Sequence, residues 1–210
     1  HVYLEVVEGP ARRLYRLDLG SRRFEALETG VETIDTVSVS ADGSRVAWIG
    51  SSADLPPRVG SSPAGKGEDW SPTTVTVPAA AREEHLQLGA VEDWDFESGD
   101  GTRIDGRVHY PPDFDPAKRY PAIVYYYGGT SPVTRDFGGR YPKNLWAAHG
   151  YVVYVLQPSG AIGYGQDFSA RHVNDWGERV AGELIAATES FLAAHDFVDP
   201  DRVGCLAASF

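Results

Sequence analysis

Two uninterrupted apolar runs constrain the fold of this chain most strongly. Residues 121–127 read PAIVYYY and residues 151–156 read YVVYVL, without alternating polar side chains. Strands of this kind are covered on both faces, as in a parallel sheet with helices on each side. Because parallel neighbours need a crossover connection, the sequence predicts a helix between the two runs.

That connection is predicted at residues 142–149. Pro142 suits the first position of a helix, and Gly150 suits its C-terminal stop. The face that we expect to be buried carries Leu145, Trp146 and His149.

A longer helix and a third strand complete the pattern. Residues 178–194 have helical periodicity, and after a turn at residues 199–201 the apolar run 202–207 predicts a strand. The apolar stripe of the helix comprises Val180, Leu184, Thr188, Phe191 and Leu192. From residue 122 onward the order is β-α-β-α-β, so we predict an α/β fold with a mostly parallel open sheet.

The first part of the chain has a different pattern. Residues 1–52 alternate apolar and polar side chains in short bursts separated by turn signals, which is typical of antiparallel strands. Residues 51–81 are rich in Pro, Gly and Ser, with one short strand predicted at 73–77. We therefore expect one or more strand-rich propeller blades plus linker at residues 1–87, and a second domain at 88–210.

The charge and the lengths of the apolar segments disfavour nucleic-acid binding and a membrane helix. The formal charge of −11 is spread along the chain, so no basic surface for nucleic acid is expected. No segment has the roughly 18 consecutive apolar residues of a membrane helix. The sequence leaves open whether the protein is cytoplasmic, periplasmic or secreted, and whether it forms a homo-oligomer.

Ser209 is the candidate nucleophile. It follows the predicted strand 202–207 directly, and the small residues Ala207 and Ala208 precede it. A nucleophile elbow of the type Gly-x-Ser-x-Gly needs small neighbours because the strand-to-helix turn is tight, and here Ala207 takes the first glycine position. Cys205 belongs to the same apolar run, where burial as a small hydrophobe is expected.

The segment around Ser209 resembles a known family. Residues 197–210 read FVDPDRVGCLAASF, and they follow Tyr127-Gly128-Gly129 and the segment GAIGYG at residues 160–165. This order resembles the prolyl oligopeptidase family of serine peptidases. The resemblance implies an α/β-hydrolase fold preceded by the last strands of a β-propeller, a peptide substrate, and hydrolysis of short peptides through an acyl-enzyme on Ser209.

The resemblance also implies an oxyanion hole. The hydroxyl of Tyr127 and the backbone N–H of Phe210 would stabilise the tetrahedral intermediate. Taken alone, Tyr127 is the last of three consecutive tyrosines, for which a core aromatic is the simpler interpretation.

The remaining triad members are expected outside this chain. In α/β-hydrolases the Asp and His follow the nucleophile, so residues 1–210 would be an inactive piece without them. The internal histidines would then be structural, surface or outer groups of the site, namely His85, His109, His149, His172 and His195.

Neither a metal nor a cofactor is expected. No His-Glu-x-x-His spacing occurs, and residues 160–165 lack Gly-x-Gly-x-x-Gly spacing and show no helical pattern directly behind them. Two alternatives remain at this point: an esterase of the same fold, and a non-catalytic binding module.

Overall fold

The computed structural model describes residues 1–65, 67–76, 83, 85–175 and 177–209, and the chain divides into two compact units. The first comprises His1–Leu86 and Thr134–Gly139, and the second comprises Gln87–Val133 and Arg140–Phe210.

In the described residues of the first unit, seven strands form one sheet. They are β1 (Val2–Glu8), β2 (Ala11–Leu17), β3 (Phe24–Leu27), β4 (Thr33–Val39), β5 (Arg45–Ser52), β6 (Leu55–Pro63) and β7 (Thr73–Thr76). Their order is β1-β2-β4-β5-β6-β7, with β3 beside β2. All neighbours are antiparallel except β2 and β4, which meet through one parallel pair. Val77, the last residue of the strand predicted at 73–77, lies outside the described residues.

A small apolar core lies on this sheet. Leu14, Ile34 and Val46 are fully buried, and Trp48 stacks on Trp70 with 5.4 Å between ring centroids. Gly60 is required beneath this pair, because a Cβ there would lie 2.4 Å from the Trp48 ring.

The second unit contains a mixed sheet. Its strands are β8 (Val91–Asp93), β9 (Phe96–Glu97), β10 (Arg103–His109), β11 (Tyr120–Tyr127), β12 (Val152–Gln157) and β13 (Val198–Ala208). The order is β13-β11-β12-β10-β8, with β9 beside β10. β11 is parallel to both β12 and β13, whereas β10 is antiparallel to β12. The predicted α/β class and the parallel pairing of the two apolar runs are confirmed.

Three helices are present among the described residues of this unit: α1 (Lys143–Ala148), α2 (Gln166–Ala170) and α3 (Glu178–Ala194). α3 has the predicted bounds and packs Val180, Leu184, Ala187 and Phe191 on a core formed by β10 to β12. Within it, Phe191 stacks on Tyr154 with 4.3 Å between centroids. A second cluster includes Ala147 of α1 together with Val153 and Val155.

The predicted buried face of α1 is wrong in part. Leu145 is 53% exposed and His149 is also exposed, whereas Lys143 and Ala147 are buried. Residues four apart share one face of a helix, and the small Ala147 allows α1 to approach the sheet closely. Trp146 is partly buried and packs against the cluster that contains Ala147, as predicted.

The entry into β13 also differs from the prediction. Residues 199–201 belong to β13 and not to a turn before it. The register shifts in this region, since Tyr120 pairs with Val198 and Ala122 pairs with Val203. The extra residues of β13 form an irregularity, and the ladder runs without interruption from Val203 to Ala208.

Candidate active site

Ser209 lies at the carboxyl end of β13 in an unusual backbone conformation. Its φ is 54°, and Ser209 is one of the few residues other than glycine with positive φ in the described part of the chain. This left-handed region costs an L-residue roughly 1–2 kcal/mol. A sharp, strained turn after a strand is the geometry that lifts a nucleophile out of a sheet.

The end of β11 lies beside this turn. Tyr127 is the register partner of Ala208, and the N–H of Gly128 donates to the Ala208 carbonyl oxygen at 2.9 Å. The structure therefore brings the two strand ends that carry Tyr127 and Ser209 together. Phe210, predicted to provide the second oxyanion donor, lies outside the described residues.

Tyr126 and Tyr127 face opposite sides of the sheet, as successive strand residues do. Tyr127 is half-buried and packs against the cluster that contains Val133 and Ala147. Tyr126 packs on the α3 side, and burial, followed by the influence of Cys205, raises the pKa of its phenol.

A cavity of about 210 Å³ adjoins Ser209. Its lining comprises Ser209, Tyr126, Gly128, Ala207 and His172 together with Gly177, Val180, Ala181 and Leu184. Tyr127 is not part of this lining, whereas Tyr126 and His172 are. The sequence pattern did not single out Tyr126, and His172 was expected to be a structural, surface or outer group of the site.

A second, more open cavity of about 350 Å³ explains why the expected burial of Cys205 is wrong. Cys205 lines it together with Tyr126, Leu184 and Val203, and the thiol is exposed. Among the described strands β13 pairs only with β11, and α3 leaves this open space above it. An apolar run alone does not show which strand of a sheet has a covered face.

The loop after β12 is packed closely against α2 and α3. Gly160 has φ 99°, and a Cβ there would lie 2.5 Å from Nδ1 of His172. The hydroxyl and N–H of Ser159 donate to the buried Glu183 carboxylate at 2.6 and 2.8 Å. These contacts join the loop to the walls of the cavity at Ser209, which His172 also lines.

The expectation that no helix follows residues 160–165 is wrong, because α2 begins directly after Gly165. The N-cap Gly165 has φ 94°, and Asp167 lies in the first turn, where the helix dipole favours a carboxylate. With five residues α2 is too short to show helical periodicity in the sequence.

One of the other histidines is buried in the core, and another packs against aromatic side chains. His109 is 1% exposed, and burial together with Arg107 and Lys143 lowers the pKa of its imidazole to about 3. Its Nδ1 lies 3.0 Å from Oδ1 of Asn144. The ring of His195 packs against aromatic side chains including Phe191. An imidazole with a pKa lowered in this way is uncharged at neutral pH.

In the described ranges, no group of three or more His, Cys, Asp and Glu side chains is placed to hold a metal ion. Within the same ranges, no helix has the length and apolar character needed to cross a membrane.

Comparisons with known proteins give one family match and several similar peptidases. Residues 140–210 match the sequence model described as the prolyl oligopeptidase family. The chain is 31% identical over 137 residues to dipeptidyl-peptidase 5 of Porphyromonas gingivalis, covering 65% of this chain and 20% of the relative. It is 34% identical over 116 residues to dipeptidyl-peptidase 5 of Aspergillus fumigatus, covering 55% of this chain and 16% of the relative.

A solved structure shows the same fold. The acylaminoacyl peptidase of Pyrococcus horikoshii superposes with a TM-score of 0.83 at 21% identity, covering 99% of this chain and 31% of the other. The chain thus spans a fifth or less of the length of the two curated relatives.

Proposed function

We propose that this chain belongs to the prolyl oligopeptidase family and that the full-length protein is a serine peptidase that cleaves short peptides. The observation that carries the proposal is the position of Ser209, which follows the carboxyl end of a parallel strand with a left-handed φ. Catalytic groups of open parallel sheets gather at that edge. The esterase and the non-catalytic module are not favoured by the family assignment.

The proposed reaction starts with attack of the Ser209 hydroxyl oxygen on the carbonyl carbon of the scissile peptide bond. A histidine takes the hydroxyl proton, the carbon–oxygen bond forms, and the former carbonyl oxygen becomes an oxyanion. Collapse releases the amine, which accepts that proton, and water then hydrolyses the acyl-enzyme by the same route. We assign the histidine and its orienting aspartate to residues that follow Ser209 in the full-length protein.

Tyr127 and the N–H of Phe210 are proposed as the oxyanion donors. The pairing of Tyr127 with Ala208 supports this role, because it sets the end of β11 beside the Ser209 turn. Each donor of such a site contributes about 3–4 kcal/mol to stabilisation of the transition state.

The proposal includes the arrangement of the whole domain. Residues 88–210 would form the first part of an α/β-hydrolase domain, and residues 1–87 the last strands of a β-propeller. The sheet order of the second unit and the antiparallel meander of the first support this arrangement. The relatives named dipeptidyl-peptidase 5 support the release of dipeptides as the reaction.

Fluorophosphonate labelling of the full-length protein tests the nucleophile. We expect one adduct, on Ser209, and loss of both labelling and peptide hydrolysis in Ser209→Ala. Ser38→Ala, which removes an exposed hydroxyl from β4, is the matched control and should label normally. An adduct on another serine, or retained hydrolysis in Ser209→Ala, would overturn the proposal.

A further inference from the structure

We propose that Gln157 is a positioning residue that fixes the chain behind Tyr127 and thereby sets the direction of the Tyr127 hydroxyl. This inference rests on the proposed function and extends it to a residue that does not touch the substrate. Gln157 is the last residue of β12 and is 2% exposed.

The side-chain amide of Gln157 forms hydrogen bonds with both the carbonyl oxygen and the N–H of Val133. The side-chain Nε2 donates to the Val133 carbonyl oxygen at 2.6 Å, and the Val133 N–H donates to Oε1 at 2.9 Å. Because both ends of the amide are used, its orientation is determined by the hydrogen bonds. A buried guanidinium joins the same acceptor, since Nη2 of Arg107 lies 3.3 Å from the Val133 oxygen.

Val133 is in turn packed into the apolar cluster against which Tyr127 lies. The Val133 side chain is 6% exposed and belongs to the buried cluster with Tyr125 and Val155, and Tyr127 packs on that cluster. Fixing Val133 therefore fixes part of the wall that supports the Tyr127 ring.

The chain between Tyr127 and Val133 is flexible at its start. It starts with Gly128 and Gly129, and glycine allows a wide range of backbone angles. Its near end is held by the Gly128 N–H on Ala208, and its middle by the Ile162 N–H, which donates to the Thr130 oxygen at 2.8 Å. Gln157 provides the anchor at the far end.

An apolar residue at position 157 would fill the same space without this anchor. The buried N–H of Val133 would lose its acceptor, and a buried unpaired backbone group is unfavourable enough to drive a local shift. A shift of the Val133 wall would change the position of the Tyr127 hydroxyl. A displacement of about 1 Å at an active site can lower the rate about 100-fold.

A double-mutant cycle on the full-length protein tests the inference. Gln157→Met keeps the length of the side chain and removes the amide, and Tyr127→Phe removes the hydroxyl. We expect Tyr127→Phe to lower kcat about 100-fold to 1000-fold. Gln157→Met should lower kcat about 10-fold to 100-fold with KM changed less than about threefold. In the double variant the Gln157 substitution should cause no further loss, because its effect passes through the hydroxyl.

Two further variants separate positioning from general destabilisation. Thr188→Ala removes a hydrogen bond within α3, to the Leu184 carbonyl oxygen, at a residue that does not line the cavity at Ser209, and should leave kcat within about twofold. Gln157→Glu keeps the shape and the acceptor for the Val133 N–H but sets a carboxylate oxygen against the Val133 carbonyl oxygen. It should therefore also lower kcat, and this loss should also disappear beside Tyr127→Phe. This variant keeps the test open if Gln157→Met does not fold.

The outcomes separate the oxyanion role of Tyr127 from the positioning role of Gln157. If Tyr127→Phe leaves kcat unchanged, the oxyanion assignment of the proposed function is wrong. If Tyr127→Phe lowers kcat but the losses multiply in the double variant, or if Gln157 variants match wild type, the positioning role is overturned while the oxyanion assignment stands.

Discussion

Tyr127 and Ala208 are register partners at the carboxyl ends of two parallel strands, so the residue after Ala208 begins its turn beside the end of β11. This pairing places two strand ends that are 81 positions apart in the chain at one edge of the sheet. The backbone conformation of Ser209 at this edge gives the first prediction.

The positive φ of Ser209 should appear in the stability of its variants. Glycine tolerates φ 54° without a steric penalty, whereas alanine does not. We expect Ser209→Gly to be more stable than Ser209→Ala by about 1 kcal/mol, measured as the free energy of unfolding in urea. At Ser38, in the extended strand β4, the order should reverse, because glycine weakens a strand. Equal stability of the two Ser209 variants would contradict the strained turn.

The close approach of Gly160 to His172 predicts a large difference between two glycines of one loop. Gly160 and Gly165 both have strongly positive φ, but a Cβ at Gly165 meets nothing within 4 Å. Gly165→Ala should therefore cost only the backbone strain of about 1–3 kcal/mol. Gly160→Ala should cost about 1–3 kcal/mol more, because the His172 ring must move.

Thermal unfolding of both glycine variants measures this difference. Adding His172→Ala to Gly160→Ala should recover part of the loss, while adding it to Gly165→Ala should not. Equal melting temperatures for the two single variants would show that the loop does not pack on His172 as described.

The buried imidazole of His109 predicts that stability falls in acid. Its pKa is lowered from 6.5 to about 3 by burial and by Arg107 and Lys143, so the folded state stays neutral while the unfolded state takes up a proton below pH 6.5. The contribution of His109 to the free energy of unfolding is fully present above pH 6.5. It decreases by about 1.4 kcal/mol per pH unit as the pH falls toward 3.

Urea unfolding at pH 7 and pH 5 measures this contribution, which amounts to about 2 kcal/mol between the two. The comparison is with His109→Gln, which cannot titrate. The variant should lose less stability than wild type over the same interval, and identical pH dependence would contradict a neutral buried imidazole.

Patterns that depend on the residues of one element were predictable from the sequence. The bounds of α3 follow from a long apolar stripe, and the parallel strands β11 and β12 follow from runs without polar alternation. The position of Ser209 at a strand end followed from the apolar run before it, whereas its role as a nucleophile stays a prediction.

Features that depend on packing between elements distant in the sequence were not predictable. Whether Cys205 is covered depends on the position of α3 above β13, and the exposure of Leu145 depends on which row of α1 meets the sheet. The role of Gln157 depends on a backbone peptide 24 residues away in the chain. No local pattern contains this kind of information.

The irregularity at the entry of β13 has an evolutionary consequence. Extra residues are accommodated between Val198 and Val203, before the continuous ladder begins. Insertions or deletions at that point can be absorbed as a change in the size of the irregularity. A single insertion after Val203 would instead shift every following side chain to the other face and move Ser209 by about 3.3 Å. Homologous chains should therefore vary in length before Val203 and keep a constant spacing from there to the serine.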